Sequence, residues 1–403
     1  MSAVPTPATT DDGEHRPCRA RLAPVLPPMD IPEGFIRSAL ADVVPYEPGK
    51  PIETVQRELG LARVVKLASN EGPFGPVPAA LVALDRAIGE LNRYPDGGAY
   101  RLRAALAEKF GLDMGEVAIG SGADGIIGQL TAAVIDPGDE IVCGWPSFPS
   151  YVIDTKLRGG VARLVPLRDG VYDLPAILEA ITPRTKIVYL CYPNNPTGTI
   201  NALADLDRYF EQVPAHVLTV LDQAYFEYVD EPEYACGVQR YLQAGRNVLV
   251  LRTFSKIYGL AGLRVGYGLG QAALLRELVK VRRAFDTTLA GQEAAIASLG
   301  ADSSAEIARR AQLCAAGRTR LAEILRSNGF APLPGVANFL FAQAPCAAAA
   351  LNDALLREGV IIRPMGAFGD PNAIRVTVGA PDELDFFAAA LPRALERVAA
   401  GGT

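Results

Sequence analysis

Three stretches of the chain, "KIVYLC" (186–191), "VLTVL" (217–221) and "NVLVL" (247–251), are apolar almost without interruption. A strand with one face in water alternates apolar and polar residues. A run without alternation needs cover on both faces, which a parallel sheet between helices provides. Further strand-like runs fall at 116–119, 140–144, 161–165 and 265–268, separated by segments with apolar residues at i, i+3 and i+4. This pattern predicts an α/β fold with a mostly parallel central sheet sandwiched by helices. Past about residue 290 the pattern changes to a long Ala-rich helical region (292–328) and short strands near 337–343, 360–364 and 373–378. These read as a smaller α/β domain. "PIETVQRELG" (51–60) reads as a short amphipathic helix ending at Gly60, and "VVKLASNEGPFGP" (64–76) as a strand and a loop.

Composition excludes several classes. A net charge of −6 leaves no basic surface for nucleic acid. No apolar run of about 18 residues is present, so no membrane span is expected. Residues 1–30 hold six prolines, mixed charges and no apolar stretch of signal-peptide type, and read as a disordered tail. The cysteines at 18, 143, 191, 236, 314 and 346 are far apart and form no C-x-x-C, as expected of reduced thiols in a cytoplasmic protein. With only His15 and His216 in the chain, a Ser/His/Asp triad, a Cys/His pair or a His-rich metal site is disfavoured by inventory, and no metal is expected.

"AIGSGADGIIGQL" (118–130) carries Gly120, Gly122 and Gly125 at G-x-G-x-x-G spacing after a strand and before a helix. A dinucleotide site also needs an acidic residue about 20 positions on, at the end of the next strand. Asp139 and Glu140 stand at the beginning of that strand, and its end reads "GWPSFPSY". The phosphate-binding half of the motif survives: glycines that permit close approach and free N–H groups at a helix N-terminus. A turn that binds nothing fits the spacing equally well.

Polar residues cluster where strands end. "YLCYPNNPTGT" (189–199) follows one apolar strand, Asp222 closes the next, and Lys256 and Arg264 follow the strand near 248–252. In open α/β sheets, ligands sit at the carboxyl ends of strands. A lysine, a carboxylate, amides, aromatics and a phosphate loop together suit pyridoxal 5′-phosphate, which has an aldehyde, a basic ring nitrogen, a ring hydroxyl and a phosphate.

Seven motifs, "PYEPGKPIETVQRELG", "KLASNE", "NRYPD", "GSGAD", "PNNPTGT", "RTFSKIYGLAGLR" and "IRVTVG", occur in the order found in the histidinol-phosphate aminotransferase family. The chain resembles that family, within the fold-type I pyridoxal-phosphate aminotransferases, from about residue 35 to 395. The resemblance implies an aspartate-aminotransferase-like fold. It divides the chain into an N-terminal arm with part of the small domain (31–74), a large cofactor-binding domain (75–290) and a small C-terminal domain (291–403). Position by position, Lys256 resembles the Schiff-base lysine. Asp222 resembles the partner of the ring nitrogen, and Asn195 and Tyr225 the partners of the ring oxygen. Phe148 resembles the stacking aromatic. Ala123, Asp124, Ser255 and Arg264 resemble the phosphate cradle, and Tyr94 the tyrosine that reaches a neighbouring subunit's phosphate. Arg375 resembles the arginine that grips the substrate's distal anion, while Arg363, Tyr46, Asn70 and Asn338 are further candidates for the substrate cavity. A homodimer with shared sites and small-molecule partners, an amino donor and a 2-oxo acid, are implied.

Three departures leave the substrate open: Gly72 where the family usually has a second Asn, Gln223 in "DQAY" for the commoner Glu, and "TVGAPDELDFF" without the usual Glu-Asn. An aminotransferase for aromatic amino acids or for a secondary metabolite is compatible with them. An NAD-dependent oxidoreductase rests on 120–125 alone. A decarboxylase-like enzyme or a cofactor-binding regulator could use the same fold.

Overall fold

The computed structural model describes residues 31–45 and 49–401. The tail expected at 1–30 and Tyr46 lie outside them. The main sheet has seven strands in the order Val117–Ser121, Val265–Leu269, Val248–Thr253, Leu218–Asp222, Thr185–Cys191, Glu140–Trp145, Val161–Pro166. The last five in that order pair parallel to one another. Val265–Leu269 runs antiparallel to both its neighbours. The apolar runs are buried as expected: Ile187, Val188, Val220, Leu221, Leu249 and Val250 expose almost nothing.

The antiparallel strand has a consequence for the site. The chain leaves the carboxyl end of Val248–Thr253, turns through residues 254–264, and returns down Val265–Leu269. Lys256 and Arg264 therefore both sit on one loop at the carboxyl end of the parallel strands.

Two smaller sheets lie outside this layer. Val65–Lys66 pairs in parallel with Val360–Ile361, which joins the N-terminal segment to the C-terminal part of the chain. Arg363–Pro364, Ala373–Thr377, Phe339–Gln343 and Ala331–Pro332 form an antiparallel sheet. The run expected at 360–364 is thus two short strands in different sheets. The long helical region is also two helices, Leu289–Ser298 and Ala301–Ser327, broken at Gly300. Ile52–Leu59 is helical as expected and closes on Gly60 at φ +66°.

One buried arginine ties the helix Ala301–Ser327 to two loops. Arg310 Nη1 donates to the carbonyls of Gly75 (2.7 Å) and Ile257 (3.0 Å), Nη2 to that of Pro76 (3.2 Å), and Nε to Glu306 (2.7 Å). Buried carbonyls need such donors, and leaving each one bare costs about 1–3 kcal/mol. The guanidinium fork thereby holds the loop after Asn70 against the loop that carries Lys256.

Candidate active site

A cleft of about 150 Å³ opens at the carboxyl ends of the parallel strands. Its lining includes Ser69, Asn70, Gly122, Ala123, Asp124, Phe148, Cys191, Asn195, Asp222, Ala224, Tyr225, Thr253, Ser255, Lys256, Arg264 and Arg375. A larger cavity of about 430 Å³ lies between the strand Val117–Ser121 and the helix Ala272–Val281. Its wall holds Arg103, Arg276, Arg282 and Arg283 but neither a lysine nor a carboxylate. Acid–base chemistry belongs to the smaller cleft.

At one end of the cleft the helix Gly122–Val134 begins directly after its strand. The N–H groups of a helix's first turn have no partner within the helix and favour an anion. Gly122 has φ +75°, and a Cβ there would lie 2.7 Å from Arg264 Nη2. A Cβ on Gly266 would lie 2.2 Å from the Ala123 nitrogen. Glycine at both positions lets backbone and guanidinium close together into a cradle. Arg264, itself at φ +54°, donates to Ser255 Oγ at 3.3 Å.

Asp222 ends its strand with its carboxylate buried. Burial pushes its pKa up, and two donors oppose that shift: Tyr151 Oη (2.7 Å to Oδ2) and the Ala224 N–H (3.0 Å to Oδ1). Lys256 Nζ lies 3.5 Å from the Ser69 carbonyl and 5.6 Å from the centre of the Tyr225 ring. Burial, then the nearby Arg375 and Arg264 charges, bring its pKa down to about 8, against the pull of Glu71 and Asp222. Free amine is therefore available near neutral pH.

Across the cleft, Arg375 Nη1 donates to Asn195 Oδ1 and Nη2 to the Ala68 carbonyl (2.8 Å). Asn70 adopts φ +54° and donates through Nδ2 to Tyr225 Oη (3.1 Å). Asn338 donates to the Asn70 carbonyl (3.1 Å), and Thr377 Oγ1 accepts from the Asn70 N–H (3.0 Å). These bonds fix the unusual Asn70 backbone.

Of the residues singled out from sequence, the cleft gathers Lys256, Asp222, Tyr225, Ala123, Asp124, Phe148, Asn195, Ser255, Arg264, Arg375 and Asn70. Three others are placed elsewhere in this chain. Asn338 stands behind Asn70 as its support. Arg363 is the cross-strand partner of Arg375 on the neighbouring edge strand and is not among the residues that line the cleft. Tyr94 is 82% exposed and stacks on Phe285 with ring centres 4.5 Å apart. Sequence reasoning missed Ser69, Cys191, Ala224 and Thr253, which line the cleft beside residues it named. It also missed Tyr151, although "PSFPSY" was in view.

Two of the departures lie behind the cleft. The Gln223 side chain donates to Tyr234 Oη and the Ala235 carbonyl and accepts from the Gly237 N–H. Gly72 lines a separate small cavity beside Asn338, and a Cβ there would lie 3.0 Å from the Lys256 carbonyl oxygen.

A lysine, a buried carboxylate and an anion cradle at the end of an α/β sheet suit a pyridoxal-phosphate site. Residues 62–391 match class I and II aminotransferases, and the chain belongs to that family. It is 45% identical to the histidinol-phosphate aminotransferase of Moorella thermoacetica over 356 residues, which covers 88% of this chain and 92% of the relative. The solved histidinol-phosphate aminotransferase from Sinorhizobium meliloti, in complex with pyridoxal-5′-phosphate, has a TM-score of 0.82 at 29% identity, covering 91% of this chain and 98% of that one. Aspartate aminotransferase from Thermus thermophilus with maleate has a TM-score of 0.75 at 25% identity, covering 87% and 97%. The dinucleotide reading of 120–125 is thereby set aside. Its glycines serve close packing: a Cβ on Gly120 would lie 2.9 Å from Ile126 Cδ1.

Proposed function

We propose that this chain moves the amino group of histidinol phosphate to 2-oxoglutarate, giving imidazole acetol phosphate and glutamate, with pyridoxal 5′-phosphate as cofactor. The observation that carries this reading is the meeting of Lys256, Asp222 and the Gly122–Arg264 cradle in one cleft. The similarity to relatives bearing that enzyme name supports the substrate.

The residues fit the cofactor. The first-turn N–H groups of Ala123 and Asp124, with Ser255 and Arg264, suit a phosphate. Asp222 suits a protonated ring nitrogen, Asn195 and Tyr225 a ring oxygen. Phe148 and Ala224, both in the cleft wall, would offer apolar surface to the ring. Bound there, the cofactor supplies an aldehyde that takes up the amino group and a ring that accepts the electron pair left at the substrate Cα.

The chain's own groups do the rest. Lys256, as free amine, would take the proton from the substrate Cα and deliver it to the carbon of the cofactor's former aldehyde group, acting as base and then acid. Asp222 keeps its negative charge because a cation opposite it repays the cost of burial. Arg375, held by Asn195 and Ala68, presents its guanidinium to the anionic end of the substrate. Asn70 and Tyr225 brace each other at 3.1 Å, so the Tyr225 hydroxyl stays in place.

The dimer and the domain division belong to the same proposal. The pairing of Val65–Lys66 with Val360–Ile361 supports a small domain built from both ends of the chain, beside a large one over 75–290. The exposure of Tyr94, which stacks on Phe285, supports its reaching a second copy rather than its own cleft. Among the described residues no helix is long and apolar enough to cross a membrane, and we assign the enzyme to the cytoplasm.

The test is glutamate formation from 2-oxoglutarate with histidinol phosphate, histidinol, and phenylalanine as donors. A charged hydrogen-bonded contact is worth about 1.5–3 kcal/mol, so removing the phosphate should lower kcat/KM by roughly 10- to 150-fold. Equal rates with and without the phosphate would contradict an arginine-centred donor pocket. A clear preference for phenylalanine would move the assignment to aromatic amino acids.

A further inference from the structure

Beneath the cleft lies a hydroxyl that the proposed chemistry does not use. Tyr151 sits on the helix Ser150–Leu157 and is completely buried. Its ring stacks on Tyr189 (centres 4.3 Å apart, planes 10° apart) and meets Phe148 edge-on at 5.5 Å. Phe148 lines the cleft. A phenol oxygen lies in the plane of its ring, so fixing the ring fixes the oxygen. That oxygen donates to Asp222 Oδ2 at 2.7 Å.

The donor is permanent. Burial, and then the Asp222 charge, raise the Tyr151 pKa well above its ordinary value, so the hydroxyl keeps its proton. Asp222 faces Tyr151, Tyr189, Tyr225 and the Cys191 thiol, together with Asp124 and Lys256. Asp124 disfavours its charge and Lys256 favours it. Among the described residues the Asp222 carboxylate accepts from Tyr151 on one oxygen and from the Ala224 N–H on the other. A hydrogen bond to the charged form of a carboxyl favours that form.

We propose that Tyr151 is a positioning residue whose hydroxyl holds the Asp222 carboxylate ionised and in a single orientation at the floor of the cleft. This rests on the reading of Asp222 as the partner of the cofactor's ring nitrogen. Tyr151 itself touches neither substrate nor cofactor. It acts through Asp222, and its loss should be felt as cofactor affinity and pH dependence.

The experiment is a double-mutant cycle on pyridoxal 5′-phosphate affinity, with Tyr151→Phe, Asp222→Ala and the double variant. Affinity is measured by equilibrium binding to the cofactor-free protein between pH 5 and 9, and the fold is checked by circular dichroism. Tyr151→Phe should weaken binding roughly tenfold or more. Without the donor the Asp222 pKa rises, so the pH below which binding falls away should move up by about one unit. In the Asp222→Ala background the same substitution should change nothing. If Asp222→Ala alone leaves affinity intact, the reading of Asp222 fails. If Asp222→Ala weakens binding and Tyr151→Phe matches wild type at every pH, the inference about Tyr151 fails by itself. An equal loss from Tyr151→Phe in both backgrounds also overturns it, because the effect is then plain packing. Should Tyr151→Phe alone not fold, recovery of the fold in the double variant supports the pairing, and no recovery contradicts it.

Discussion

Lys256→Ala should abolish amino transfer while leaving a folded protein that still binds pyridoxal 5′-phosphate. Loss of a positioned acid–base group alone costs about 10²–10⁴ in rate. In the proposed reaction Lys256 is also the nucleophile that holds the cofactor, so the fall should reach the limit of a glutamate-formation assay. The proposed phosphate cradle at Ala123, Asp124, Ser255 and Arg264 is untouched, so noncovalent cofactor should survive gel filtration. Stability should not suffer. The lowered Lys256 pKa means that the fold disfavours the ammonium form, and alanine removes that burden. Turnover above about 1% of wild type would contradict the assignment.

Asp222→Asn should cut the first half-reaction by roughly a hundredfold to a thousandfold, the scale of losing one electrostatic group aimed at developing charge. Asparagine keeps the shape: its one oxygen can still accept from the Ala224 N–H, and the Tyr151 hydroxyl can turn to accept from the new amide, so the cleft should stay intact. In the proposed reaction what disappears is the negative charge that would keep a cofactor ring nitrogen protonated while electrons develop at the substrate Cα. Asp222 is raised by burial, so neutralising it should not lower the unfolding free energy at pH 7. Single-turnover rates with histidinol phosphate separate this effect from cofactor loss. Wild-type rates in fully loaded Asp222→Asn would refute the role.

The positions at strand ends were the most legible part of the chain. Thr185–Cys191, Leu218–Asp222 and Val248–Thr253 are buried on both faces, so their apolar runs stop where the sheet meets the cleft. Asn195, Asp222 and Lys256 follow those stops. Strand direction was not legible in the same way. The run at Val265–Leu269 looks like its neighbours because periodicity reports burial and carries no sense of direction, yet it is antiparallel. The break at Gly300 was hidden because the flanking residues keep helical spacing on both sides.

Second-layer contacts were illegible for a different reason. Tyr151 meets Asp222 across 71 residues, Asn338 meets Asn70 across 268, and Arg310 meets Gly75 across 235. Nothing in the local pattern of either partner signals such a bond. Arg363 is a partial case: the register sets it directly opposite Arg375, on the same face of the sheet, although it is not among the residues that line the cleft.

The central claim is that Lys256 is the residue to which the cofactor is joined and through which the amino group passes. Borohydride reduction of the cofactor-loaded protein, followed by proteolysis and mass mapping, tests it directly. The account predicts one modified peptide, containing Lys256 in "TFSKIYGLAGLR", and loss of that label when the protein is first treated with excess histidinol phosphate. Labelling at another lysine, or a Lys256 label that the amino donor cannot remove, would contradict it.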